Sequence, residues 1–203
     1  GKTVVITSDA QQIILGDSSN KPEHLFVIKD GASLQFEGSV ELYGRYNTGS
    51  MISNEGKLTL DGPDVLLTGG VVSDNSGVID NRGEEATFVL NKGTIEKNKV
   101  KGEYSGTIRV SEGASFAMSG GTIQNNQVAA AAQDLSSPGV LLYGKSSFEL
   151  TGGEICSNTG VRGGGVLAQG TDAGKAYFEM TGGSIHDNVC RSDDPNYDAA
   201  GAV

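Results

Sequence analysis

Residues 115–126 read SFAMSGGTIQNN, and the phrase returns as DVLLTGGVVSDN at 64–75, TFVLNKGTIEKN at 87–98, SFELTGGEICSN at 147–158 and YFEMTGGSIHDN at 177–188. A repeat of this period moves the unit of structure from the domain to the coil, because each repeat buries its apolar face only against its neighbours. Apolar residues alternate in each unit (Phe88 and Leu90, Phe116 and Met118, Phe148 and Leu150, Phe178 and Met180), the period-two mark of a strand with one buried face. The pairs Gly69-Gly70, Gly120-Gly121, Gly152-Gly153 and Gly182-Gly183 exclude a helix and supply a bend; Lys92 replaces the first glycine in the second unit. Two residues on, Val72, Ile95, Ile123, Ile155 and Ile185 turn inward again.

Three residues further stand Asn75, Asn98, Asn126, Asn158 and Asn188. Asparagine tolerates left-handed backbone, and its amide both donates and accepts, so equivalent asparagines in stacked turns form a hydrogen-bonded ladder. A third strand, opened by Gly77, Gly106, Gly139 or Gly165, completes the coil. The expectation is an all-β parallel solenoid of about seven three-strand coils, beginning near 3, 25, 50, 77, 106, 139 and 165, roughly 30 Å long at about 4.8 Å per coil. It is one domain over 1–203, and Gly201-Ala-Val203 opens a truncated coil, so a longer natural solenoid is expected.

Composition agrees with a narrow apolar column: 31 glycines, six phenylalanines and no tryptophan in 203 residues. The net charge of −10, with lysines and arginines scattered, argues against a nucleic-acid partner. No apolar run is long enough to insert this segment in a membrane. The two cysteines give no disulfide framework. Cys156 lies two residues before its asparagine and Cys190 two after its own, beyond disulfide reach in extended chain unless the turn closes the gap.

Stacking directs the search for chemistry into columns. The outward column beside the inward isoleucine reads Ser73, Glu96, Gln124, Cys156 and His186, making Cys156 and His186 neighbours, the skeleton of a thiolate nucleophile or a partial zinc site. The column inside the phenylalanine strand reads Val89, Ala117, Glu149 and Glu179. Glu149 and Glu179 are the candidate catalytic carboxylates, against the plainer reading of an acidic surface that discourages strand aggregation. The connection after the asparagine varies in length, so loops 127–138 and 189–200 are the candidate binding surface, with Asp134, Asp193, Asp194 and Tyr197 as contact residues. Asp193, Asp194 and Asp198 are the candidate ligands of a hard cation such as calcium, although their spacing matches no calcium loop. No other cofactor is expected.

The pattern Phe-x-Met/Leu-x-Gly-Gly-x-Ile-x-x-Asn, with Gly163-Gly164-Gly165-Val166, resembles the repeats of adhesin-like surface proteins of gut bacteria and archaea over about 64–203. It is more loosely similar to the repeats of chlamydial polymorphic outer-membrane proteins. Both are pectate-lyase-like, so the resemblance implies a right-handed, single-stranded parallel β-helix. It also implies an extracellular or cell-surface location and attachment to a host glycan or protein; a monomer is expected. The carboxylate cluster with a basic residue that pectate lyases carry has no counterpart: the matching strands show Asp80, Arg109, Leu142 and Ala168. A passive stalk and a polysaccharide lyase or glycoside hydrolase are the competing expectations.

Overall fold

The computed structural model describes residues 1–15, 19, 22–44, 49–73, 75–129, 135–161 and 163–190. Its strands pair in parallel into three sheets, of ten, six and five strands. The six-stranded sheet holds Phe26–Ile28, Ile52–Asn54, Gly77–Arg82, Gly106–Ser111, Ser137–Tyr143 and Val166–Gln169. One such strand per turn makes a β-solenoid of about six turns, near the seven expected; Thr3–Leu15 adds only a further strand to the ten-stranded sheet.

Identical positions of successive coils lie side by side. Leu58, Phe88, Phe116, Phe148 and Phe178 form one inward column, and the last four rings stack with centroids 4.7, 4.4 and 5.1 Å apart. Leu42, Leu67, Ile95, Ile123, Ile155 and Ile185 form a second column, and Ile52, Ile79, Ile108, Val140 and Val166 a third on the facing sheet. The core is the stack of these columns, and each interior aliphatic or aromatic side chain contributes about 1.5–3 kcal/mol by leaving water.

The phenylalanine and isoleucine strands are less separate than expected, since Ser115–Gln124 and Ser146–Cys156 each run as one strand through a register shift at the glycines. The second glycine carries the bend: Gly93, Gly121, Gly153 and Gly183 all have positive φ. That explains why Lys92 is accepted at the first position while Gly93 is retained.

The register of the first phrase differs from expectation by five residues. Leu67, rather than Val72, pairs with Ile95, and Val72 pairs with Val100. Gly70 therefore occupies the ladder position, and Asn75 is an exposed bend residue outside the ladder. Ser73 likewise leaves the outward column, where Thr68 stands against Glu96. The spacing of Asn75 imitates that of the true ladder residues, but the strand Lys57–Leu60 already fills the phenylalanine column of that coil.

Asn98, Asn126, Asn158 and Asn188 are buried and stack directly. Each Nδ2 of the first three donates to the next Oδ1 at 2.9, 3.0 and 2.9 Å, and those oxygens also accept the backbone N–H of Asn98, Asn126 and Asn158 at 3.1, 3.0 and 3.1 Å. The left-handed residue is the one before each asparagine (Lys97, Asn125, Ser157 and Asp187), and Gly69 takes that place in the first coil. Asn54 and Asn81 form a short second ladder, with Nδ2 of Asn54 donating to Oδ1 of Asn81 at 2.7 Å.

A two-residue strand follows each ladder position: Val71–Val72, Lys99–Val100, Gln127–Val128, Thr159–Gly160 and Val189–Cys190 build the five-stranded sheet. The variable connections thus begin two residues later than the asparagine. No helix of the described residues is long and apolar enough to cross a membrane.

Candidate functional site

With the interior committed to the columns, chemistry is confined to outward positions. On the isoleucine strands alternation turns Glu96, Gln124, Cys156 and His186 away from the core, and the register sets each beside the next. Gln124 Nε2 donates to Glu96 Oε2 at 2.8 Å, and the Cys156 thiol points at Gln124 Oε1 4.0 Å away. Lys97 Nζ donates to Glu96 Oε1 at 2.6 Å and, with Gln124, holds the Glu96 carboxyl below its ordinary range. A solvent-open depression of about 480 Å³ runs along this face, lined among others by Glu41, Asp64, Thr94, Glu96 and Gln124.

At the far end of the column Cys156 and His186 are direct neighbours, and a third group joins them. Glu154 lies two residues before Cys156 on the same strand, and one ligand atom from each of Glu154, Cys156 and His186 lies within 4.8 Å of the other two. His186 Nδ1 is 2.8 Å from Asp187 Oδ2. A carboxylate only accepts, so Nδ1 donates and Nε2 is the free nitrogen. Burial pushes the Cys156 thiol above its ordinary range, the Glu154 charge adds to this, and a hydrogen bond with Ser157 opposes it. An unassisted thiol here stays protonated near neutral pH, which disfavours the nucleophile reading. Glu154 is signalled in the sequence by alternation on the strand, two residues before Cys156.

Glu149 and Glu179 are paired in register on adjacent rungs, both exposed. The aspartate of the six-stranded sheet is differently placed. Asp80 and Arg109 pair directly, but Gly106 pairs with Ser137 rather than Gly139, and after a one-residue register shift Leu141, rather than Leu142, stands beside Arg109, with Leu167 following in place of Ala168. Arg109 Nη1 donates to Asp80 Oδ1 at 3.2 Å and to Ser111 Oγ at 3.0 Å, while Nε donates to the Tyr104 carbonyl at 3.1 Å. Burial raises the Asp80 carboxyl despite the opposing charge of Arg109. This ion pair is structural: both side chains are at least nine-tenths covered.

Cys156 and Cys190 are free thiols. Asp134, Asp193, Asp194, Tyr197 and Asp198 lie outside the described residues, as do 130–134 and 191–200 of the two candidate loops. No family model, curated protein or solved structure matches this chain.

Proposed function

We propose that this solenoid is a non-catalytic, extracellular or cell-surface module of the adhesin-like kind, contacting a host glycan or protein through the loops of its asparagine corner. One observation carries the reading: the two-residue strands after the ladder form a regular five-stranded base. From that single edge depart connections of unequal length, 73–76, 101–105, 129–136 and 161–165. Rigid departure points with variable loops are the usual architecture of a contact surface. The net charge of −10 favours neutral or cationic ligands over polyanionic ones.

The test is binding of the 203-residue chain to glycan and mucin arrays, before and after residues 129–136 are replaced by the short 73–76 connection. Binding that disappears on shortening supports the proposal. No binding at all supports a passive stalk. Release of new reducing ends or unsaturated sugars, abolished by Glu149→Ala or Glu179→Ala, replaces the proposal with a carbohydrate-active enzyme.

A further inference from the structure

We propose that Glu154, Cys156 and His186 form a binding site for a borderline-soft divalent cation of the zinc class, clamping two successive coils. The three residues supply one oxygen, one sulfur and one nitrogen, a donor set that suits zinc and its transition-metal congeners and not calcium or magnesium. Their ligand atoms all lie within 4.8 Å of one another. Tetrahedral zinc, with bonds of about 2.0–2.3 Å, needs ligand atoms roughly 3.3–3.8 Å apart, so closure takes at most about 1–1.5 Å of approach between ligand atoms. Glu154 and His186 are exposed, so the movement meets no packed neighbour of the core.

Two further features suit a metal. The bond between His186 Nδ1 and Asp187 Oδ2 leaves Nε2 as the ligating nitrogen, the arrangement in which a carboxylate orients a ligating histidine. The backbones are also held in place: Ile155 and Ile185 stack in the core between the ligands, and Asn158 and Asn188 join the same two coils just beyond them. On binding, the Cys156 S–H bond breaks, its proton leaves to solvent, and the sulfur forms the metal bond as thiolate. Three protein ligands leave one outward position for water or for a donor atom of a bound molecule.

Titration of the reduced 203-residue chain with Co²⁺, followed by competition with Zn²⁺, tests the site. One equivalent of Co²⁺ should produce a sulfur-to-cobalt charge-transfer band that Zn²⁺ removes. Cys156→Ser should abolish the band, His186→Gln should weaken binding by more than 10-fold, and Asp187→Ala by about 10-fold. Cys190→Ser should leave band and affinity unchanged, and unchanged far-ultraviolet circular dichroism keeps the comparison among folded proteins. Absence of the band in the parent chain, its persistence in Cys156→Ser, or its loss in Cys190→Ser overturns the proposal.

Discussion

The backbone N–H of Gly70 donates to Oδ1 of Asn98 at 2.9 Å, so a glycine heads the asparagine ladder. A Cβ at Gly70 would come within 3.0 Å of Asn98 Oδ1 and 2.9 Å of Met51 Sδ. The coil cannot take a fifth ladder asparagine without moving those neighbours.

The ladder makes a prediction that separates its members from their imitator. Asn126→Ala removes the acceptor of both the Asn98 backbone N–H and the Asn98 Nδ2 group, and should cost about 2–4 kcal/mol. Asn75→Ala, at an exposed bend, should stay within about 0.5 kcal/mol of the parent. Denaturant unfolding of the two variants measures both.

The phenylalanine stack should be graded along its length. Phe116 is 2% exposed with a ring on each side, and Phe116→Ala should cost about 3–5 kcal/mol. Phe178, at 38% exposure with one described stacking partner, should lose distinctly less on the same substitution. Equal losses would contradict the column.

The left-handed residues offer the opposite change. Ser157 has φ 56°, a conformation that costs an L residue about 1–2 kcal/mol, and Gly69 occupies the equivalent place in the first coil. Ser157→Gly should therefore be neutral or raise Tm, after allowance for the larger entropy of the unfolded glycine chain. Ser157→Val should lower it.

Asp80 predicts a pH dependence. Burial raises its folded carboxyl above the unfolded value of about 3.9, so the folded state takes up the proton first as pH falls. The stability it contributes is complete below the unfolded value and is lost as pH rises through the folded one. Relative to Asp80→Asn, the parent should gain unfolding free energy on acidification from neutral pH into the carboxylate range. Glu55, which Lys29 holds below its ordinary range, contributes with the opposite sign: its share is present above the unfolded value and lost as pH falls. The difference between parent and variant isolates Asp80.

The inward columns from Phe88 onward were readable because phenylalanine, isoleucine and asparagine recur there at fixed offsets, each with its own packing or bonding role. The first coil was not, since Gly70 replaces the asparagine and Leu58 the phenylalanine, while Gly69-Gly70, Val72 and Asn75 match the repeat five residues out of register. The slip from Leu142 to Leu141 arises because Gly106 pairs with Ser137, two residues before Gly139, and the register shift that follows restores only one of the two. The cation cluster was half readable. Cys156 and His186 followed from column spacing, whereas Glu154 required reading along and across the strands at once.

The outward columns exist because stacking sets residues 32 apart, such as Gln124 and Cys156, side by side. Paired residues on adjacent strands lie about 4.8 Å apart, within the Cα range of a disulfide. A chain carrying Gln124→Cys and Cys190→Ser, air-oxidised and mapped by peptide mass spectrometry, should form an intramolecular disulfide between position 124 and Cys156. Two free thiols in the folded, oxidised protein would contradict the register and every outward column built on it.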